Sequence, residues 1–270
     1  MRFTTSFLAR QLIKRCKYLA AIPGGTVTPC ELIPHEWKGK RAVTIRERHD
    51  DTMLLEYGEH KFKIPSHAYN WVSVFVGEIM LSDIYRLSLI KPKPGSFIYD
   101  CGANVGVYTV AAAAAFPECR ILAIEPEEQN RWYLQQNIEL NGLQDRVFVL
   151  DAAVHRYDDE QALLILHESG DHYLAGHANG ESNKGVPVRT VSLNSLAREF
   201  QPVDCIKMDI QGAELETVLG ADKLLHRDFP AWSIAAYHDK NQFSTLKNLF
   251  NYYGYHVHTH PGGYIYSLAN

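Results

Sequence analysis

The sequence predicts an α/β fold: a mostly parallel sheet flanked by helices, preceded by a smaller β-rich region and closed by an antiparallel hairpin. Three observations carry this. From Ser96 onward, short apolar runs alternate with helical runs at the spacing of βαβ units. Acidic residues and glycines follow the apolar runs, where an open parallel sheet presents its ligand site. The last two apolar runs are separated only by Pro261-Gly262-Gly263, a hairpin turn.

The elements follow in order. Residues 1–20, "MRFTTSFLARQLIKRCKYLA", are basic, and Leu8, Leu12, Cys16 and Leu19 recur at helical spacing, so an amphipathic helix is expected. Such a helix suits peripheral contact with an anionic membrane surface, or packing on its own chain or on a second subunit in an oligomer. "AVTIRER", "TMLLEY" and "HKFKIP" read as short strands. "SDIYRLSLI" reads as a helix ended by "KPKPG". Then the regular part begins. "SFIYDCG", "CRILAIEP" and "RVFVLDAAV" are strands, separated by the helices "VGVYTVAAAAAF" and "EEQNRWYLQQNIELNG". "ALLILHE" and "VPVRTVSL" are strands flanking an aperiodic polar stretch that is a loop or lid. "SLNSLAREF" is a short helix, "DCIKMDI" a buried strand and "AELETVLGADKLL" a single helix. "AWSIAAY", "NQFSTLKNLFNYY", "YHVHTH" and "GYIYSLA" complete the chain as strand, helix and hairpin.

Composition bounds the function. The 270 residues are 46% hydrophobic and 21% charged, ordinary for a globular protein, and the net charge of −4 argues against a nucleic-acid partner. Five cysteines without a C-x-x-C pair suggest free thiols in a reduced, cytoplasmic protein. Among thirteen histidines there is no H-E-x-x-H, and "HVHTH" reads as a polar strand face, so no metal is expected. No run of eighteen apolar residues indicates a transmembrane helix.

The chemistry centres on "FIYDCGANVG". A nicotinamide fingerprint needs G-x-G-x-x-G, but Asn104 and Val107 stand where its second and third glycines belong. The spacing that fits is D-x-G-x-N-x-G: Asp100, Gly102, Asn104, Gly106. This is the first motif of S-adenosylmethionine (SAM) enzymes. Glycines let the backbone approach a nucleoside and a methionine tail closely. Asp100, at a strand end, is a candidate for the cofactor's ammonium. Glu125, at the end of the next strand, is placed for both ribose hydroxyls. Pro126 starts the following helix. Asp151, ending the third strand, is placed for the adenine amino group, with Ala152 offering backbone contacts to the ring. Each acid alone is explained as a helix cap; three at successive strand ends point to a cofactor.

"IYDCGANVGVYTV", "AIEPEEQNRWYLQQNIELNG", "LDAAV" and "IKMDIQGAELETVLGA" together resemble the motifs of the FkbM-type SAM-dependent methyltransferases. The resemblance runs from Ser96 to the C-terminus, and divides the chain into an extension, residues 1–92, and a methyltransferase domain, residues 93–270. It implies a class I methyltransferase fold of seven strands, the last antiparallel, with helices on both faces. It implies O-methylation of a hydroxyl on a sugar, glycan or polyketide-type small molecule, with Gly102, Glu125 and Asp151 on the cofactor. Where the family turn reads D-V-E-G-A-E this chain has "DIQGAE", so Gln211 replaces a glutamate. A non-catalytic member that binds SAM or its product is the alternative that this replacement suggests. A nitrogen acceptor is disfavoured by the lack of an N/D-P-P-[YF] turn. Because a hydroxyl needs its proton removed, Asp209 and His238, at strand ends, are the candidate catalytic residues. Gln211, with His172 and Tyr173 in the irregular loop, is a candidate for the acceptor.

Overall fold

The computed structural model describes residues 44–48, 51–166, 172–175, 185–239, 241–260 and 262–268. The expected N-terminal helix lies outside them, as do Cys16 and Cys30.

Strands β1 (Thr44–Arg48), β2 (Thr52–Tyr57) and β3 (His60–Pro65) form an antiparallel meander. Helix α1 (Tyr69–Val76) follows and runs on as a π-helical turn, Gly77–Leu81. Sequence reading left this helix unassigned and expected one over "SDIYRLSLI" instead. That segment holds only a 3-10 turn, Leu87–Leu89. The reason is local. Asp83 Oδ1 accepts from Leu87 N (2.6 Å) and Oδ2 from Ser88 N (3.1 Å), so the side chain takes the N–H that a helix would use. Asp83 (φ 47°) and Arg86 (φ 54°) are both left-handed.

The regular part contains β4 (Phe97–Cys101), α2 (Val107–Ala115), β5 (Arg120–Ile124), α3 (Glu128–Leu140) and β6 (Val147–Leu150). Strands β7 (Ala153–Val154), β8 (Gln161–Ile165), β9 (Tyr173–Leu174) and β10 (Val186–Val191) make a small sheet in the order β7-β10-β8-β9. Then come α4 (Leu193–Glu199), β11 (Val203–Met208), α5 (Glu214–Leu219), α6 (Asp222–Arg227), β12 (Ala231–Ala235), α7 (Gln242–Tyr252), β13 (His256–His260) and β14 (Tyr264–Leu268). The single helix expected over "AELETVLGADKLL" is two, α5 and α6. They part at Gly220, where a Cβ would sit 2.7 Å from the Arg156 carbonyl oxygen. Helix α3 starts at Glu128 rather than at Pro126, because the Glu127 carboxylate caps it, accepting from Gln129 N (3.0 Å) and Asn130 N (2.6 Å).

The main sheet has seven strands in the order β13-β14-β12-β11-β4-β5-β6. Strand β14 is antiparallel to both neighbours, and the remaining pairs are parallel. The seven strands, the antiparallel last strand and the terminal hairpin are those that the family resemblance implies. Strand β4 lies at its centre, with every residue buried. Its side chains divide by the period of two: Ile98 faces one apolar cluster, while Phe97, Tyr99 and Cys101 face the other. The first cluster includes Leu55, Phe62, Ile64 and Val72 as well as Val107, Tyr108 and Leu134, so the N-terminal elements share a core with the sheet and helices α2 and α3. Asn137 on α3 and Asn141, just past its C-terminal end, act as side-chain partners for β3. Asn137 Oδ1 accepts from Lys63 N (2.6 Å) and its Nδ2 donates to Lys63 O (3.0 Å); Asn141 bonds Lys61 in the same way. Strand β13, the histidine tract, is an edge strand with His256 and His258 exposed. Cys101, Cys119 and Cys205 are buried free thiols. Among the described residues no helix is long and apolar enough to cross a membrane.

Candidate functional site

A cleft opens where β4, β5 and β11 end. It encloses about 1030 Å³ of empty space, open solvent at its mouth included. One side is the turn after β4. Gly102 (φ 76°), Asn104 (φ 51°) and Gly106 (φ 90°) are all left-handed. At Gly102 the requirement is also steric: a Cβ would lie 2.1 Å from the Asp209 carbonyl oxygen. The turn is therefore pressed against the end of β11, and only glycine fits there. Gly102 and Asn104 line the cleft; Gly106 lies behind it, at the start of α2 and against Leu134.

Glu125 lies in the cleft wall, 5% exposed. Its Oε2 accepts from Asn104 N (2.8 Å) and its Oε1 from Glu127 N (3.0 Å). Burial pushes this carboxyl up to about 7, against the pull of those two N–H groups toward the ionised form. Pro126 and Ala152 line the same wall.

Two other expected cofactor acids are turned elsewhere. Asp100 is fully buried beneath the cleft; its Oδ1 meets Lys207 Nζ at 2.9 Å and its Oδ2 accepts from Thr109 Oγ1 at 2.6 Å. The ammonium that it holds is the protein's own. Asp151 is 68% exposed and paired with Arg131 Nη2 at 2.8 Å, outside the cleft wall. Arg131 reaches it while also donating to Pro126 O (2.7 Å).

The end of β11, beside the glycine turn, brings further polar groups to the cleft. Asp209, just past β11, lines the cleft. Its Oδ2 accepts from Tyr85 Oη (2.6 Å) and its Oδ1 from Gln211 Nε2 (3.2 Å). Burial first, then Asp209 itself, raises the Tyr85 phenol well above its ordinary value, so Tyr85 is the donor. His238 lies behind Asp209 and outside the cleft wall. Its Nε2 is 3.4 Å from Asp209 Oδ1 and its Nδ1 is 2.9 Å from Glu214 Oε1. Asp209, Glu214 and His238 offer ligand atoms within 4.8 Å of one another. One imidazole nitrogen lies within 4 Å of each carboxylate. Glu214 is also committed elsewhere: its carboxylate accepts from Ile210 N (3.0 Å), Gly212 N (3.0 Å) and Gln242 Nε2 (2.7 Å). It thus caps the turn that carries Gln211 (φ 55°).

Gln211, His172 and Tyr173 all line the cleft, the last two from the small sheet and its approach. Residues that sequence reading missed join them: Lys207 and Asn130, both buried, and Phe75, Glu78, Ile79 and Tyr85 from before β4. The Asn130 Nδ2 has no hydrogen-bond partner among the described residues. A lysine inside the apolar run "DCIKMDI" was the available signal for Lys207. The N-terminal residues carried none.

Methyltransferase sdnD of Sordaria araneosa is 26% identical over 176 residues, covering 54% of this chain and 67% of that protein. Methyltransferase 1 of Beauveria bassiana is 26% identical over 202 residues, covering 67% and 79% respectively. Among solved structures, methyltransferase FkbM from Methylobacillus flagellatus KT is 18% identical with a TM-score of 0.46, over 75% of this chain and 55% of that one. A family model, the methyltransferase FkbM domain, matches residues 100–257, from the first acid of the glycine turn into the terminal hairpin. The chain belongs to the FkbM methyltransferase domain family.

Proposed function

We propose that the protein is a SAM-dependent O-methyltransferase acting on a hydroxyl of a sugar, glycan or polyketide-type small molecule. The observation that carries this is Asp209: a carboxylate in the cleft wall, held by two donors and backed by an imidazole, beside the glycine turn. Gly102, Asn104, Pro126 and Ala152 leave a narrow wall for a nucleoside, and Glu125 presents a carboxylate suited to a pair of ribose hydroxyls. When bound, SAM supplies a methyl group on a sulfonium and leaves as a neutral thioether. The protein's tasks are then to align the acceptor, exclude water and take one proton. Asp209 would accept the hydrogen bond, and then the proton, of the acceptor hydroxyl. His238, oriented by Glu214, acts on Asp209 from behind. Gln211, in the place of the family glutamate, donates to Asp209 and faces the acceptor.

Unfolding followed with SAM, S-adenosylhomocysteine (SAH) and NAD tests the cofactor. SAM and SAH are expected to raise the midpoint and NAD to leave it unchanged. A panel of glycosides, polyols, phenols and amines with methyl-labelled SAM then tests the acceptor. Label recovered in an ether supports the proposal, and label recovered only on nitrogen overturns the oxygen assignment. Asp209→Asn is expected to keep SAH binding and lower turnover about 100-fold or more.

A further inference from the structure

Lys207 is a buried cation in the cleft wall with no part in the proton transfer above. It stands on β11 directly across from Asp100 on β4, in register. Its Nζ has three acceptors within reach: Asp100 Oδ1 at 2.9 Å, Gly102 O at 2.8 Å and Cys101 O at 3.3 Å. An ammonium has three hydrogens to give, so all are used on the strand end and turn that follow one another in sequence. Burial works against the charge, but Asp100 and Asp209 outweigh it and hold the ammonium above the ordinary lysine value. The turn that it grips has three left-handed residues within five positions, a backbone that persists only when its surroundings hold it. Gly102 is already in contact with the Asp209 carbonyl from the same strand end.

We propose that Lys207 is a positioning residue for the cofactor: it pins the Gly102 carbonyl, and so sets the shape of the turn against which the nucleoside and methionine portions lie. The inference rests on the methyl-donor reading of the cleft. Asp100 has a matching part. A lone buried cation here would repel a sulfonium, and the paired carboxylate cancels that charge before the cofactor arrives.

The test is SAH binding by calorimetry with the full-length chain. Lys207→Met alone would leave the Asp100 carboxylate buried beside an apolar chain, so it is combined with Asp100→Asn, which keeps an acceptor for Thr109. The double variant is expected to unfold cooperatively and to bind SAH at least about tenfold more weakly than Asp100→Asn alone, which still has the Gly102 bond. Equal affinities in the two variants overturn the proposal. If the double variant does not fold, ¹⁵N spectroscopy of the Lys207 ammonium in the unaltered protein decides. A signal shifted at saturating SAH supports the proposal, and one unmoved while SAH binds overturns it. A wild-type chain that binds no SAH overturns the methyl-donor reading itself, and this inference with it.

Discussion

The Tyr85 hydroxyl donates to Asp209 Oδ2 over 2.6 Å, joining residues 124 positions apart. Asp209 lies inside the stretch matched by the family, residues 100–257, and Tyr85 lies before it. The turn that presents Tyr85 is built for the purpose. Asp83 caps it, Asp83 and Arg86 are left-handed, and Tyr266 Oη fastens it by donating to Ile84 O at 2.5 Å. The Tyr85 ring packs edge-on against Tyr108 and Tyr264, each 5.5 Å away. Tyr85→Phe keeps those ring contacts and removes only the donor. It is expected to lower turnover about tenfold with SAH affinity and unfolding midpoint little changed, the loss of one hydrogen bond to a carboxylate. A variant with unaltered turnover would show that Asp209 needs no support from the N-terminal segment.

If Glu125 holds the ribose, as proposed, cofactor binding is pH-dependent. Its carboxyl sits at about 7 in the folded protein because burial disfavours the charge. Ribose hydroxyls donate to a carboxylate and so favour its ionised form, and binding releases the proton held by the neutral form. SAH affinity is therefore expected to be level above pH 8 and to fall as pH drops through 7, approaching tenfold per unit. The ligand-free fold responds in the opposite sense. Stability from the neutral buried carboxyl is fully present below the unfolded glutamate value of about 4.3 and is lost as pH rises through about 7. Calorimetry in buffers of different ionisation enthalpy counts the released proton, and Glu125→Gln should flatten both dependences. A wild-type affinity that does not change between pH 6 and 8 would place the ribose elsewhere.

Gly102→Ala tests the contact between the two strand ends. The new Cβ would meet the Asp209 backbone carbonyl oxygen at 2.1 Å, and a backbone carbonyl cannot swing aside as a side-chain tip would. With φ at 76° the alanine is strained as well. A loss of at least about 2 kcal/mol is expected, read as a lower unfolding midpoint together with weaker SAH binding. Alanine at Gly142, where φ is 65° but nothing lies within 4 Å, isolates the backbone strain and should be milder.

What was legible in the sequence divides along physical lines. The parallel strands, the hairpin and the glycine turn were readable because each is set by local chemistry: short apolar runs, a Pro-Gly-Gly turn and glycines that admit left-handed backbone; the count of seven strands came from the family resemblance. The helix over "SDIYRLSLI" was misread because its apolar spacing is right but Asp83 redirects the backbone, an effect of one side chain on two N–H groups. Asp100 was read as a cofactor ligand because the residue opposite it comes from a strand 107 positions later. No local pattern announces that a lysine there will take the carboxylate. The same holds for Tyr85, whose bond to Asp209 exists only once the N-terminal segment packs on the sheet face that carries Ile98.

Glu214 shows how one acid can serve both the fold and the site. It is fully buried, and its two oxygens accept from Ile210 N, Gly212 N and Gln242 Nε2, with His238 Nδ1 at 2.9 Å. The turn between Asp209 and Glu214 contains two consecutive left-handed residues, Gln211 and Gly212. Its N–H groups find their acceptor in this carboxylate rather than in a neighbouring strand. Glu214→Gln replaces one oxygen by an amide that points its own hydrogens at a donor. The expected loss is about 2–3 kcal/mol, the scale for leaving a buried donor unmatched. Turnover should fall further than stability alone explains, since Asp209 and Gln211 ride on this turn and His238 loses its orienting partner. SAH affinity should change less, because Glu125 takes none of its hydrogen bonds from this turn. A Glu214→Gln protein with the wild-type midpoint would mean that the turn holds its shape without the carboxylate, and that the acid serves His238 alone.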